Sequence, residues 1–211
     1  MDAALTVVER EGVAGLNMRA VADQVGAGAA TLYWHLGRKD ELIELVIDRV
    51  FGLIELPPPE PPRWQEQLKQ VAIEARQVLR RYPGVGALTL GRIPTGPAIL
   101  GWMEWSLGLL RAAGIPDHVA AYTGDLFGLY LGATSYEDTS PMVSPTGDEL
   151  PPEEIVAIVR TFFQALPVDR FPNIHAVGDR LTEGSPDERF ELGLEVILRG
   201  LASYRERPLP R

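Results

Sequence analysis

The chain has 211 residues, of which 45% are hydrophobic and none is cysteine. This length and composition suffice for one large core, or for a small domain joined to a larger one. The lack of cysteine excludes disulfides and thiolate chemistry. Because only 3 histidines are present, a structural zinc site is not expected either. The formal net charge of −9 disfavours a broad phosphate-binding surface.

No basic segment precedes an apolar stretch at the N-terminus, so the sequence shows no secretory signal. The longest strongly apolar run, residues 126–133, is too short to span a bilayer. We therefore expect a soluble, cytoplasmic protein with no membrane contact.

Residues 1–56 show apolar spacing of three and four residues, interrupted by glycine. Asn17 is a suitable N-cap for the second of the helices that this pattern predicts, and residues 26–28 form a glycine-bearing turn after it. The predicted helices are Asp2–Glu11, Met18–Val25, Ala29–Leu36 and Lys39–Leu56.

The proline run Pro57–Pro62 is the clearest internal boundary, because proline cannot continue a helix but is accepted at the start of one. We therefore expect a domain over residues 1–50 and a larger one over residues 51–211, both all-α. Residues 84–97 leave room for one short helix, and a helical turn is expected near Asn173–Arg180. The longer helices predicted in the larger domain are Arg63–Tyr82, Ala98–Ala113, Asp117–Glu137, Pro152–Leu166 and Pro186–Arg205.

Two short helices joined by a glycine turn are typical of a helix-turn-helix, whose second helix enters the DNA major groove. Thr31, Tyr33 and His35 on the outer face of that second helix can reach phosphates or base edges, and Lys39 adds a phosphate anchor. The alternative, a helical hairpin with an aromatic core, stays open on spacing alone. Against DNA binding, the five basic and eight acidic side chains of residues 1–50 leave a local charge of −3. Any DNA-binding face must then be a small patch assisted by helix N-termini.

Residues 3–50 resemble the DNA-binding domain of the tetracycline-repressor (TetR) family of transcriptional regulators. The resemblance rests on Asn17-Met18-Arg19, on Thr31-Leu32-Tyr33-Trp34-His35 and on Lys39. It implies a ligand-responsive repressor that binds a palindromic operator as a homodimer, with its two recognition helices ~34–36 Å apart. The DNA contacts that it implies are Arg19, Ala29, Ala30, Thr31, Tyr33, Trp34, His35 and Lys39. The chain departs from the family in having Ala29 where a longer base-reading residue is usual, and in lacking a basic arm before the first helix.

The larger domain is rich in aromatic residues and is expected to enclose an apolar cavity for a small-molecule effector. The alternative is that these side chains only fill the core. The tetracycline branch binds its drug with magnesium and a histidine, and here Thr89 stands before Leu90-Gly91 instead. We therefore expect an effector other than magnesium–tetracycline, and no metal or cofactor. The predicted ligand-binding residues are Trp64, Val71, Ala75, Arg92, Trp102, Trp105, Tyr122, Leu126 and Tyr130.

Two stripes of residues are candidates for the dimer interface. Gly124, Gly128 and Gly132 recur every four residues in one helix and predict a close helix–helix approach. The second stripe, Phe190 to Tyr204, has apolar residues spaced by four and three. A four-helix bundle formed by these two helices and their symmetry mates is expected, unless both stripes face the protein's own core.

No Ser/His/Asp or Cys/His set, phosphate-binding loop or metal-ligand spacing is present, so the sequence does not predict an enzyme. The alternative to a DNA-binding regulator is a helical protein that binds small molecules and has lost DNA regulation. The acidic N-terminal segment favours that alternative.

Overall fold

The computed structural model describes residues 1–28, 38–92, 95–141, 147 and 149–206. Within these ranges the chain is helical and contains no β-strand, which confirms the all-α prediction. The chain divides into two compact units. The first comprises Met1–Thr139 together with the C-terminal stretch from Gly193, and the second comprises Ser140–Leu192.

The first helix, α1, spans Asp2–Gly15 and contains a kink at Gly12. The sequence predicted an end at Glu11, and Gly12 does leave helical geometry, with φ 66° and ψ −177°. A left-handed φ of this kind favours glycine. Helical geometry resumes after the kink, where the Val13 amide donates to the Pro83 carbonyl at 2.9 Å. This hydrogen bond connects α1 to the residues that follow the helix Trp64–Arg81.

Helix α2 spans Met18–Val25, as predicted. The Asn17 side-chain oxygen accepts a hydrogen bond from the Ala20 amide at 2.9 Å, which satisfies one of the free donors of the first turn. Gly26 ends the helix in the left-handed conformation, with φ 65°. The predicted recognition helix, Ala29–Leu36, lies outside the described residues.

Helix α3 spans Lys39–Phe51 and is five residues shorter than predicted. The chain turns at Gly52, and the Glu55 amide then donates to the Glu74 carboxylate at 2.8 Å. Helices α1, α2 and α3 share one apolar core that also includes Leu79, Tyr82, Val85 and Ile99. The first 50 residues therefore do not have a core separate from that of the following helices.

The proline run is fixed by side chains of the two long helices that follow it. The Gln67 amide accepts from the Glu60 amide at 2.7 Å and donates to the Pro58 carbonyl at 2.8 Å. The Trp105 indole N–H donates to the Pro57 carbonyl at 2.6 Å. These contacts give the run a fixed path. A 3₁₀ turn at Pro61–Arg63 then leads into α4, Trp64–Arg81, which is followed by α5, Val85–Thr89, α6, Pro97–Ala112, and α7, Asp117–Thr139.

Helix α7 packs on α4, α5 and α6 and is central to the first unit. Near its C-terminus Asp138 forms hydrogen bonds with Arg76 at 2.6 Å and Arg80 at 2.9 Å, both from α4. Burial by itself raises the pKa of Asp138, but the hydrogen bonds and charges of the two arginines outweigh burial and lower its pKa below the ordinary value. The charged cluster therefore fixes the relative register of α4 and α7.

The second unit contains α8, Pro152–Gln164, and α9, Pro172–Thr182, which pack against each other. Helix α10 spans Pro186–Glu206, and from Gly193 it belongs to the first unit. A capping box precedes it, because the Ser185 amide donates to the Glu188 carboxylate and the Glu188 amide donates to the Ser185 hydroxyl. These bonds lower the pKa of Glu188. The predicted start of this helix is confirmed.

Candidate functional site

Two of the predicted DNA contacts belong to described residues. Arg19 lies in the first turn of α2, is exposed, and has Asp23 4.0 Å away as its ion-pair partner. Lys39 is the first residue of α3 and is also exposed. Both are accessible to a phosphate. The other predicted contacts lie outside the described residues, namely Ala29, Ala30, Thr31, Tyr33, Trp34 and His35.

Helix α3 carries three acidic residues at four-residue spacing, Asp40, Glu44 and Asp48, and they face one side of the helix. All three carboxylates contact residues of the larger helical part, at Arg92 or at the start of α6. Since α3 directly follows the predicted recognition segment, these contacts link that segment to the rest of the first unit.

Asp48 caps α6 from a different helix. Its carboxylate oxygen accepts from the Ala98 amide at 2.8 Å and from the Ile99 amide at 3.3 Å. A carboxylate at this position satisfies free N–H groups and interacts favourably with the helix dipole. Gly96, the residue just before α6, must be small, because a Cβ atom there would overlap the Asp48 carboxylate.

Arg92 makes the second set of polar contacts between α3 and the rest of the first unit. Its Nη1 donates to the Glu44 carboxylate at 2.6 Å, and its Nη2 lies 3.9 Å from the Asp40 carboxylate. The side chains of Arg92 and Glu44 are 32% and 41% exposed, so both retain contact with solvent. The pair is therefore accessible to a competing ligand.

A cavity of about 500 Å³ lies between α3, α5, α6 and α7. Its volume is in the range of small-molecule sites. Its wall is mostly apolar, with Arg92, Glu44, Asp125 and Thr89 as polar groups. The apolar and glycine lining comprises Ile47, Phe51, Leu79, Leu90, Gly91, Ile99, Trp102, Met103, Ala121, Gly124, Gly128, Leu129, Leu131 and Gly132.

The glycine stripe of α7 lines this cavity, and its predicted contact with a partner subunit stays a prediction. A Cβ atom at Gly124 or Gly128 would meet nothing within 4 Å, so both positions border open space. At Gly132 the predicted close helix approach does occur, but within the chain. A Cβ atom there would lie 2.8 Å from Leu90 Cδ2 and 3.0 Å from the Gly86 carbonyl oxygen.

The structure brings Arg92 and Trp102 together in the cavity, whereas the other predicted ligand-binding residues do not line it. Trp64, Val71 and Ala75 are buried in the core. They lie on the inner face of α4 and do not line this cavity, so their role as ligand contacts stays a prediction.

Trp105 directs its indole N–H to Pro57, away from the cavity wall. Tyr122 and Leu126 lie on the outer face of α7, with 75% and 43% of their surface exposed. Tyr130 packs against Gly193, where a Cβ atom would overlap its hydroxyl. Burial raises the pKa of Tyr130. These residues do not line this cavity, and their role as ligand contacts stays a prediction.

Two polar groups at the cavity wall are informative. Trp102 is 8% exposed, and its buried indole N–H has no acceptor among the described atoms. Thr89, at the position of the family's metal-binding histidine, donates instead to the Gly86 carbonyl at 2.8 Å. Among the described residues no group of three His, Cys, Asp or Glu side chains could hold a metal ion.

The second predicted dimer stripe faces inward. Phe190, Leu194 and Leu201 are buried within the protomer, whereas Leu192 and Val196 on another face of α10 are exposed. The Gln65 side chain also donates to the Leu198 carbonyl at 3.3 Å, which places this part of α10 against α4. The stripe therefore packs inside its own chain.

Sequence reasoning missed the linking role of Asp40, Glu44 and Asp48. Their four-residue spacing was the available signal, since it places three carboxylates on one helix face. The partners could not be read from the sequence, because Arg92 and Ala98 lie 48 and 50 residues away from Glu44 and Asp48.

Residues 1–46 match the model of the family "Bacterial regulatory proteins, tetR family". Residues 57–205 match the model "Tetracyclin repressor-like, C-terminal domain". Within the described ranges, no helix is both long enough and apolar enough to cross a bilayer.

Among curated relatives, an HTH-type transcriptional regulator of Saccharopolyspora erythraea is 38% identical over 54% of this chain, which corresponds to 48% of that protein's length. The chain thus spans about half of that relative. The HTH-type transcriptional repressor DrrR1 of Streptomyces coeruleorubidus is 30% identical over 95% of this chain and 75% of its own length.

Among solved structures, apo ActR from Streptomyces coelicolor has 33% sequence identity and a TM-score of 0.87, covering 99% of this chain and 95% of that one. ActR in complex with actinorhodin has 35% identity and a TM-score of 0.85, covering 96% and 92%. The similarity therefore extends over both units of the chain.

Proposed function

Because the chain belongs to the TetR family of transcriptional regulators, we propose that it is a ligand-responsive repressor that binds a palindromic operator as a homodimer. Residues 1–50 would form the DNA-binding domain, and residues 51–211 the part that binds the effector and dimerises. In this role the protein has no catalytic function and needs no metal or cofactor.

The observation that supports the proposal is that α3 follows the predicted recognition segment in sequence and also lines the cavity. Its N-terminus follows the predicted recognition segment, while Glu44, Ile47 and Phe51 from the same helix line the cavity. A ligand that changes the position of α3 also changes the orientation of the recognition helix. The ligand releases the operator if it binds more tightly to the protein with α3 in the released position than to the protein with α3 in the DNA-binding position.

For the DNA contacts we retain the predicted set. The exposed Arg19 and Lys39 bind phosphates, and Thr31, Tyr33 and His35 read or position the bases. Ala29, Ala30 and Trp34 complete the contact surface. With so few basic groups, non-specific affinity should be low, and operator affinity should fall with salt only as steeply as the small number of phosphate contacts allows.

For dimerisation we propose the outer faces of α7 and α10 in place of the two inward-facing stripes. Tyr122, Leu126 and Tyr136 on α7 and Leu192 and Val196 on α10 are large apolar side chains that are exposed in the protomer. An isologous four-helix contact would cover them.

Substitution of Leu126 by glutamate tests this interface, because it places a charge among apolar side chains in the dimer. We expect at least a tenfold weaker dimer in sedimentation equilibrium. Leu100→Glu is the matched control, since Leu100 is an equally exposed leucine on α6. Unchanged dimer affinity of the Leu126→Glu protein would exclude this face.

The decisive experiment for the function is selection of bound DNA from random pools by the full chain. We expect enrichment of a palindrome whose half-sites are one helical turn apart. Lys39→Gln should weaken binding by a similar factor for all selected DNA sequences, because a phosphate contact does not depend on the base sequence. If no sequence is enriched while small molecules still bind, the protein is a ligand-binding member of the family that has lost DNA regulation.

The effector is a small molecule that occupies the cavity. The complex of the related ActR with actinorhodin supports a small-molecule effector for this chain. Magnesium–tetracycline is not proposed, because Thr89 offers a weak metal ligand whose hydroxyl is already used within its own helix. Calorimetry that detects tight, magnesium-dependent tetracycline binding would contradict this.

A further inference from the structure

Arg92 is the one basic side chain among the described residues that line the cavity, and it is held by an acidic residue of α3. Glu44, which accepts its hydrogen bond at 2.6 Å, lines the same cavity. A planar guanidinium can donate two parallel hydrogen bonds to the two oxygens of a carboxylate, which makes arginine a selective partner for carboxylates. A ligand that bears a carboxylate would therefore compete directly with Glu44.

The cavity wall also restricts the shape of the ligand. Gly124 and Gly128 leave the backbone of α7 uncovered, so one side of the cavity is flat. Trp102, Phe51 and Met103 provide apolar surface that suits an aromatic ring. The indole N–H of Trp102 lacks an acceptor, and a ring carbonyl would supply one once the indole turns toward the cavity.

We propose that the effector is a planar polycyclic aromatic carboxylate, and that its carboxylate replaces Glu44 on Arg92. The exchange preserves a charge pair on Arg92 and releases Glu44 into water, where a carboxylate is well solvated. Helix α3 then loses the hydrogen bond of Glu44 to Arg92 and keeps the cap at Asp48 and its apolar packing. The chemical class of the ligand is inferred from the residues of the cavity, whereas the release of α3 rests on the proposed function.

The probes for the test are anthraquinone-2-carboxylate and anthraquinone-2-carboxamide, which share one shape and differ in charge. Their binding to the full chain is measured by quenching of tryptophan fluorescence and by calorimetry. A charge-assisted hydrogen bond predicts about a tenfold preference for the carboxylate in the wild-type protein. Arg92→Gln should remove that preference and leave the affinity for the carboxamide within about twofold, since its ring contacts are unchanged.

Glu44→Gln provides the complementary variant. Removal of the competing carboxylate should strengthen carboxylate binding severalfold and weaken binding of the selected operator, because the link from α3 to Arg92 is lost. Arg111→Gln is the matched control, since it breaks an exposed ion pair with Asp117 on the same unit, away from the cavity. It should change neither measurement.

If Arg92→Gln lowers the affinities for both probes by the same factor, the ligand does not place a carboxylate on Arg92. The proposal is also overturned if the wild-type protein does not bind the carboxylate probe. Tight carboxylate binding with unchanged operator affinity in Glu44→Gln would overturn the release of α3 but leave the repressor function standing. Failure to bind any selected DNA would overturn the repressor function, while the comparison of the two probes would still decide the ligand class.

Discussion

Substitution of Asp138 by asparagine removes the charge that compensates two arginines of α4. The side chains of Arg76 and Asp138 are only 5% and 7% exposed, and their closest N–O distance is 2.6 Å. Arg80 is 33% exposed and can turn toward water when the carboxylate charge is lost. The cost therefore falls mainly on Arg76, which would keep a positive charge in a buried position without that carboxylate.

Removal of one partner from a buried ion pair costs about 3–5 kcal/mol. Because asparagine retains one acceptor oxygen, we expect the lower end for Asp138→Asn, about 3 kcal/mol, measured as the free energy of unfolding in urea at pH 7. Asp117→Asn is the control, since Arg111 and Asp117 are 63% and 77% exposed in their pair and such pairs contribute less than about 1 kcal/mol.

The same variant predicts the pH dependence of stability. The folded-state pKa of Asp138 lies below its ordinary value of 3.8, so the charged form stabilises the fold above that value. This contribution is lost as the pH falls from the ordinary pKa through the folded pKa. The wild-type advantage over Asp138→Asn should therefore be full at pH 6 and shrink toward pH 3. Equal stability of the two proteins at pH 7 would refute the reasoning.

Two further predictions concern packing within the first unit. Asp48→Ala should lower the free energy of unfolding by about 1–2 kcal/mol, because two backbone amides at the start of α6 lose their acceptor; Asp48→Asn should retain most of that stability in the same urea titration, and equal losses would show that the cap is not the cause. Gly86→Ala should destabilise by about 1–3 kcal/mol, because its Cβ would lie 2.8 Å from Ser135 Cβ. Gly101→Ala, where no atom lies within 4 Å, should stabilise α6 by up to about 1 kcal/mol. A Gly86→Ala protein as stable as Gly101→Ala would contradict the close approach of α5 and α7.

Local signals predicted the fold well. Asn17 caps α2, and Ser185 with Glu188 caps α10, because each uses side chains and amides that are within three residues of one another. Prolines marked the starts of α8 and α10 because proline is accepted only in the first turn of a helix. Such contacts are fixed by sequence proximity and can be inferred without a tertiary structure.

The faces of α7 could not be predicted in the same way. Phe127 and Leu131 are buried, while Tyr122 and Leu126 on the outer face are exposed and equally apolar. No hydrophobic pattern distinguishes a face that packs inside the protomer from one that is available to a partner. The sequence alone therefore could not show that the glycine stripe lines a cavity.

The links to α3 were also beyond the sequence, for a different reason. A carboxylate in the position of Asp48 can pair with a neighbour, face solvent or accept from another part of the chain, and the local sequence does not distinguish these roles. Tertiary structure alone brings it to the start of α6, 50 residues away. The coupling proposed for this chain uses such long-range polar contacts, whereas the helix caps use local ones.

Reciprocal coupling between the cavity and the DNA-binding head is the most direct test of ligand-controlled repression. Operator affinity is measured with and without saturating effector, and effector affinity with and without saturating operator, on the same preparation. Thermodynamic linkage requires both affinities to fall by one common factor, which we expect to lie between about 5 and 150. An effector that binds the cavity with the same affinity in the free and the operator-bound protein would contradict the account.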